Sequence, residues 1–326
     1  MKKSLFFIAL LPIILFGCSK GNSNEDPKSE DELVEVNFKA EGFNQEVSPM
    51  KLKGATLERG FHQPGKSEIT NLVLFLYDEY GRLVYTKENF VSDKDYNTIP
   101  GANEFKFKVP KGNYKVGLMG HNRGYGGLNF YVDQKDMNAH TIQLDGAYNG
   151  PNQTNLVDIR ESYIHRYSDV RLNKDTTLAP LQLVRLTSRL EVNIEDKIPA
   201  EASTILVGNM INSSIYPFST DKNSIKRSGY IRFGVEGQVG KENTVLATPI
   251  YANTANPNQT NTLSVAIYNR NNVLISYTEI PNVILKPNYM TKLSGKLFTN
   301  YTPDANGSLK TTILKDYSST IIEGKF

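Results

Sequence analysis

The chain has 326 residues, 39% hydrophobic and 22% charged, with a formal net charge of +3. That length implies about two domains, and lysine and arginine are scattered rather than run together among aromatics, which argues against a nucleic-acid partner. A single cysteine, Cys18, leaves no internal disulfide, so stability must come from apolar burial.

The first twenty residues, MKKSLFFIALLPIILFGCSK, begin with a cationic head at Lys2 and Lys3. Leu5 to Phe16 is an apolar run of about a dozen residues. It suits a secretory signal and falls short of the roughly 20 needed to cross a bilayer. Leu15-Phe16-Gly17-Cys18 resembles a bacterial lipobox, cut before a cysteine that carries diacylglycerol; Phe16 departs from the small residue usual at its place. The alternative is an ordinary signal peptide with an incidental cysteine. Residues 1–17 are thus expected to be a lipoprotein signal peptide. Residues 18–32 contain SKGNSNEDPKSEDE, which has no large apolar side chain to bury and is expected to be a flexible tether.

From Leu33 the pattern has period two. Val34, Val36, Phe38 and Ala40 alternate with Glu35, Asn37, Lys39 and Glu41, which predicts a half-buried strand. Residues 44–67 are irregular, with Gly54, Gly60, Pro64 and Gly65. Ile69 to Tyr77, a turn over Asp78 to Gly81, and Arg82 to Phe90 read as a hairpin with Asp and Gly in type I turn positions. Phe105, Phe107 and Val109, then Pro110-Lys111-Gly112-Asn113, then Tyr114, Val116 and Leu118 read as a second hairpin. His140 to Asp145 reads as a short strand, and Asp158 to Leu172 as loop plus one strand.

Thr176 to Asp196 alternates over a long run. Leu181 and Leu183 form one face and Leu190, Val192 and Ile194 another, separated by a polar break at Thr187-Ser188-Arg189. This places a domain boundary near Val184 to Arg189, giving domains of 33–184 and 185–326 with little linker. Beyond it, strands are expected at Thr204–Asn209, Tyr230–Gly234, Thr244–Tyr251, Thr262–Asn269 and Val273–Ile280, with a hairpin tip at Arg270-Asn271-Asn272. Ile284–Phe298 and Leu309–Phe326 close the chain. Turn residues fill the gaps and no amphipathic helix exceeds about two turns, so the fold class expected is all-β, built of β-sandwiches.

Chemistry-bearing constellations are absent from the pattern. His62, His121, His140 and His165 stand in no metal-ligand spacing. The Gly-rich stretch GHNRGYGG is followed by a strand-like Leu128-Asn129-Phe130-Tyr131, whereas a phosphate loop needs a helix start behind it. There is no G-x-S-x-G elbow and no EF-hand loop. Glu195 and Asp196 read as a solvated turn. The expectation is no catalytic residue, no metal and no cofactor.

The lipobox, the alternating first strand, ITNLVLFLYDEYGRLVY, VPKGNYKVGLMGHN, TLAPLQLVRLTSRLEVNIED and VILKPNYMTKLSGKLF together resemble the fimbrillin-type lipoproteins of Bacteroidetes, subunits and anchors of type V pili. Tyr317 stands where that family often has a Trp. The resemblance implies two tandem transthyretin-like Greek-key β-sandwich domains. It also implies lipid attachment at Cys18 to the outer membrane, and fimbrial partners joined by β-strand addition. In the family, stalk subunits are cut by an Arg-directed protease after the first strand; Arg59 before Gly60, and Lys53 before Gly54, are the matching basic positions. HTIQLD and ESYIHRYSDVRL favour the anchor or accessory branch over a processed stalk or tip pilin. A glycan-binding surface lipoprotein and an enzyme are the competing classes; the lack of Trp and of any catalytic constellation weighs against them.

Overall fold

The computed structural model describes residues 32–43, 56–58, 69–122, 132–133, 135–143, 148–149, 155–156, 159, 161–219, 221–223, 225–253, 255–298 and 318–322. Cys18, the tether, Lys53, Arg59 and most of the Gly-rich stretch lie outside these residues. The described chain is all-β, as the alternation predicts: no α-helix is present among these residues, and one 3-10 turn spans Glu236–Gln238.

The strands, in chain order, begin with β1 (Leu33–Glu41), β2 (Thr56–Glu58), β3 (Asn71–Asp78), β4 (Leu83–Phe90), β5 (Glu104–Pro110) and β6 (Gly112–His121). Short pieces follow as β7 (Val132–Asp133), β8 (Thr141–Gln143), β9 (Tyr148–Asn149) and β10 (Asn155–Leu156). Then come β11 (Ser162–Leu172), β12 (Thr176–Thr177), β13 (Leu181–Gln182), β14 (Val184–Arg185) and β15 (Thr187–Ile194). The remainder is β16 (Ala202–Ile215), β17 (Ile225–Gly234), β18 (Thr244–Tyr251), β19 (Thr260–Asn269), β20 (Leu274–Ile284), β21 (Met290–Gly295) and β22 (Ser318–Ile322).

These form four sheets around two large apolar cores, with a small third cluster at Leu206, Ala266 and Tyr268. One sheet joins β5 to β1, with β12 and β13 also on β1; a second runs β14-β11-β6-β3-β4. Between them lies a core that includes Val36, Phe38, Leu72, Leu74, Phe105, Val116, Leu118 and Leu183. A third sheet runs β20-β19-β16-β17-β10-β9 with β8 and β7 attached, and a fourth runs β2-β18-β15-β21-β22. The second core contains Leu190, Val192, Ile205, Val207, Leu246, Val265 and Leu293. It also takes Val73, Phe75 and Tyr77 from β3 and Met119 from β6.

That sharing explains the apolar run NLVLFLY. Leu72, Leu74 and Leu76 point into the first core while Val73, Phe75 and Tyr77 point into the second. Successive strand residues face opposite sides, so a strand covered on both has no polar face to show. Segments distant in sequence also cross over: β2 pairs parallel with β18, and β10 pairs with β17.

The predicted β3–β4 turn is present. Gly81 N donates to Asp78 O at 3.0 Å, Asp78 Oδ1 accepts from Tyr80 N and Arg82 N, and Gly81 takes φ of 82°. The tip at Arg270–Asn272 is present as well, with Asn269 N donating to Val273 O at 2.9 Å and Asn272 at φ 58°.

Two expectations are corrected. The second hairpin is not one: β5 pairs with β1, whereas β6 pairs with β3 and β11 in the opposite sheet. Residues 110–112 therefore form an arch from one sheet to the other. Phe105, Phe107 and Val109 meet Tyr114, Val116 and Leu118 across the core, and the Tyr114 hydroxyl donates to Pro110 O at 2.8 Å across the corner. Hairpin and arch have the same alternation, because both strands turn an apolar face inward. Secondly, Thr187-Ser188-Arg189 is no break: all three are buried in the first half of β15 and pair with Pro249 to Tyr251. They sit where polar partners supply hydrogen bonds, which burial requires.

Candidate functional site

The described residues hold no cluster of metal-ligating side chains. His165 is tied to Ser168 Oγ at 2.8 Å and to Gln182 O at 3.1 Å, in a bulge of β11. His140 is packed between the rings of Phe75 and Phe218, with its Nδ1 bonded to the Tyr77 hydroxyl. A depression of about 280 Å³ is lined by Glu79, Asn113, Tyr114, Lys115, Asp169, Val170 and Arg171. Lys115 there is bound to Asp169 at 2.7 Å, and the hydrogen bond to that carboxylate raises the lysine's pKa. Nothing in it pairs a nucleophile with a base.

The built feature is the slot that β1 fills. β1 runs antiparallel to β5, from Leu33 opposite Pro110 to Lys39 opposite Glu104. On its other edge it runs parallel to β12 and β13, with Val36 opposite Thr176 and Ala40 opposite Leu181. A strand paired on both edges is an interior strand, yet β1 is the first of the described strands and reaches partners about 140 residues away. The Asp175 carboxylate accepts from Glu35 N at 2.8 Å, Leu178 N donates to Asn37 O at 2.8 Å, and Leu183 N donates to Glu41 O at 2.8 Å.

Its inward face is the one expected. Val34, Val36, Phe38 and Ala40 are 0–3% exposed, and Phe43 beyond them is buried too. The Phe38 ring stacks on Phe105 at 5.1 Å and stands edge-on to Phe107 at 6.2 Å. Such pairs contribute beyond their area. Outside, Lys106 meets Glu35 at 2.8 Å and Lys39 meets Glu104 at 2.7 Å. The hydrogen bond from Lys106, then that from Asn37, holds the Glu35 carboxyl below its usual range. These pairs are exposed and salt-screened, so they set register more than stability.

Gly42 ends the strand at φ 84°, and a Cβ there would lie 2.7 Å from Leu183 O. Gly42→Ala is therefore expected to cost about 1–3 kcal/mol, read as a lower urea midpoint at unchanged slope. An unchanged midpoint would show that the β1 exit is free to shift.

The neighbouring edge is closed by side chains. Lys87 Nζ donates to Lys106 O at 3.1 Å, and Asn89 Nδ2 donates to Ala102 O and Glu104 O, each at 3.0 Å. Side chains of β4 thus occupy carbonyls of β5 and of the turn before it that an added strand would use. An inward charge and a covered edge are known guards against unwanted pairing. The slot itself is filled by β1, paired on both edges. Of the residues singled out from sequence, the structure places Val34, Val36 and Phe38 in it. Cys18, Lys53 and Arg59 fall outside the described residues, so their relation to the slot is open to experiment. The partners β12 and β13 lie in the alternating run from Thr176, which the structure breaks into two-residue pieces.

No protein-family model matches the chain, and no curated protein matches it. Among solved structures, it is similar to a candidate adhesin from Bacteroides ovatus, with 12% identity over 82% of this chain and 88% of that one and a TM-score of 0.49. It is similar to the tip fimbrial protein Mfa3 from Porphyromonas gingivalis, with 11% identity over 89% of this chain and 99% of that one and a TM-score of 0.44. A candidate cell adhesion protein from Bacteroides eggerthii gives 14% identity, 91% and 96% coverage, and a TM-score of 0.46. These are adhesion and fimbrial proteins by name, and likeness at this level assigns no site and no role to this chain.

Proposed function

We propose that the chain is a non-enzymatic cell-surface subunit of a fimbria, held in the outer membrane by lipid on Cys18 and joined to neighbours by β-strand addition. The observation that supports this is the slot of β1. A terminal strand that completes an interior position can be exchanged for an equivalent strand of another chain with the same backbone hydrogen bonds. The lipobox and the acidic tether supply the means of attachment and distance from the membrane.

Within that reading, an anchor or accessory subunit is favoured over a processed stalk or tip pilin. Cleavage after Arg59 would remove β2 as well as β1. Thr56, Leu57 and Glu58 pair with Val245, Leu246 and Ala247, so such a cut would open two sheets rather than one. An anchor keeps both strands and its lipid. Intact-mass measurement of the protein taken from cells should give a chain starting at Cys18 with acyl groups. Two or three chains hold firmly because each buried CH₂ contributes about 0.8 kcal/mol. Cys18→Ala should move the protein from the membrane fraction to soluble material. A native chain starting at Gly60 or Gly54 would replace the anchor by a processed pilin, with Leu33 to Phe43 as its removable plug.

A further inference from the structure

We propose that His140 is an acid-sensitive clasp: neutral, it holds the segment 135–143 and Phe218 against the back of β3, and protonated, it releases them. His140 is fully buried. Its Nδ1 lies 2.6 Å from the Tyr77 hydroxyl, and its Nε2 has no hydrogen-bond partner. Phe75 and Phe218 stand perpendicular to the imidazole at 4.6 Å and 4.7 Å.

The clasp joins pieces from separate parts of the chain. Met137 N donates to Gly81 O, Leu83 N to Lys135 O and His140 N to Asp136 O, which clips the turn onto the β3–β4 hairpin. β8 then pairs with Ser214 and Ile215 at the end of β16. Phe218 lies against β6 at Gly117, where a Cβ would meet its ring at 2.7 Å. His140 is the polar centre of that junction, in a core that otherwise seals itself with apolar side chains.

A neutral imidazole is one donor and one acceptor; here Nδ1 is bonded to Tyr77 and only Nε2, an uncharged group, goes without a partner. An imidazolium is a donor at both nitrogens. Its Nδ1–H would take the Tyr77 oxygen as acceptor and leave the phenol proton to find another, while its Nε2–H would face rings with no acceptor. From β3 the facing titratable group is Tyr77, a neutral phenol. From the turn it is Asp136, whose carboxylate accepts from Asn138 N and makes no hydrogen bond to the ring among the described residues. Arg82 is bound to Asp78 at 2.8 Å, and neither touches the imidazole. Phe218 and Gly117 bring no charge.

Burial accordingly pushes the His140 pKa down to about 3, from 6.5. The opened form takes up a proton near 6.5 and the closed form does not until about 3. Closure is therefore complete above 6.5 and weakens as pH falls from 6.5 towards 3, by about tenfold in the closed-to-open ratio for each pH unit.

The test is histidine NMR and amide exchange on the full chain in detergent, between pH 7.5 and 4.5. The His140 resonance of the closed form should stay at its neutral position. Protection factors at 135–143 should fall about tenfold per unit below pH 6.5, before those of β1 and β5. In a His140→Phe/Tyr77→Phe variant, which fills the same space without polar atoms, that fall should vanish. A resonance that titrates near 6.5 with protection unchanged would overturn the proposal, as would the same fall in the variant. Should the variant not fold, the wild-type titration decides alone. None of this depends on the fimbrial reading, which a chain of either start point would leave untouched.

Discussion

A chain lacking Leu33–Glu41 is expected to lose its cooperative fold, and the missing strand supplied as a separate peptide is expected to restore it. Val34, Val36 and Phe38 each bury a side chain worth about 1.5–3 kcal/mol, so together they contribute about 5–9 kcal/mol. Whole domains are stable by about 5–15 kcal/mol. Deletion also strips the hydrogen-bond partners from the inner edge of β5 and from residues 176–183, whose backbone groups would lose the ladder that β1 supplies. Circular dichroism and urea unfolding of the truncated chain, with and without the peptide LVEVNFKAE, measure this. The same peptide with Phe38→Asp should fail, because its charge would enter the stack with Phe105 and Phe107. A truncated chain that unfolds with the wild-type midpoint would mean that the slot is closed by something other than β1, and the case for strand addition there would fall.

The second large effect concerns a buried ion pair. Glu161, just ahead of β11, meets Arg185 of β14 at 2.8 Å, with both side chains 2% exposed. The Thr187 hydroxyl donates to the other carboxylate oxygen at 2.6 Å, and the guanidinium lies 5.0 Å from the centre of the Tyr163 ring. Beside it the Ser162 and Tyr251 hydroxyls are 3.2 Å apart. The network thus ties β11 and β14 of one sheet to β15 and β18 of another, where the two cores adjoin. Glu161→Gln leaves the guanidinium buried without its counter-charge, which is expected to cost about 3–5 kcal/mol. The double variant Glu161→Met/Arg185→Met removes both charges at similar volume and should recover most of that loss, or exceed the parent by up to about 4 kcal/mol. Urea midpoints of the three proteins decide it. A single variant within about 0.5 kcal/mol of the parent would show that water reaches the pair.

Much of the candidate site was legible in the sequence. The alternation from Leu33 placed β1 at its observed ends and named its inward side chains, because period two follows from backbone geometry alone. The turns at Asp78–Gly81 and Arg270–Asn272 were legible for the same kind of reason: Asp, Asn and Gly there have local hydrogen bonds or left-handed φ to offer. The polar run in β16 was not, and the strand extends to Ile215 beyond the expected Asn209 by pairing Met210 to Ser214 with β17. Nor was the burial of Thr187 and Ser188, whose side-chain partners Glu161 and Tyr289 lie 26 and 101 residues away.

The sequence by itself determined that the chain is made of strands, which apolar side chains strands such as β1 turn inward, and that no internal disulfide could hold it. Those properties depend on neighbours within a few residues. Tertiary structure decided which strands meet. It made an arch of residues 110–112 rather than a hairpin, set β1 parallel to β12 and β13, and carried β2 to the far sheet beside β18. Backbone N–H and C=O groups are alike at nearly every residue, so pairing alone cannot name a partner. The choice falls to how two apolar faces close over one another, and that is settled only when the whole chain is in place.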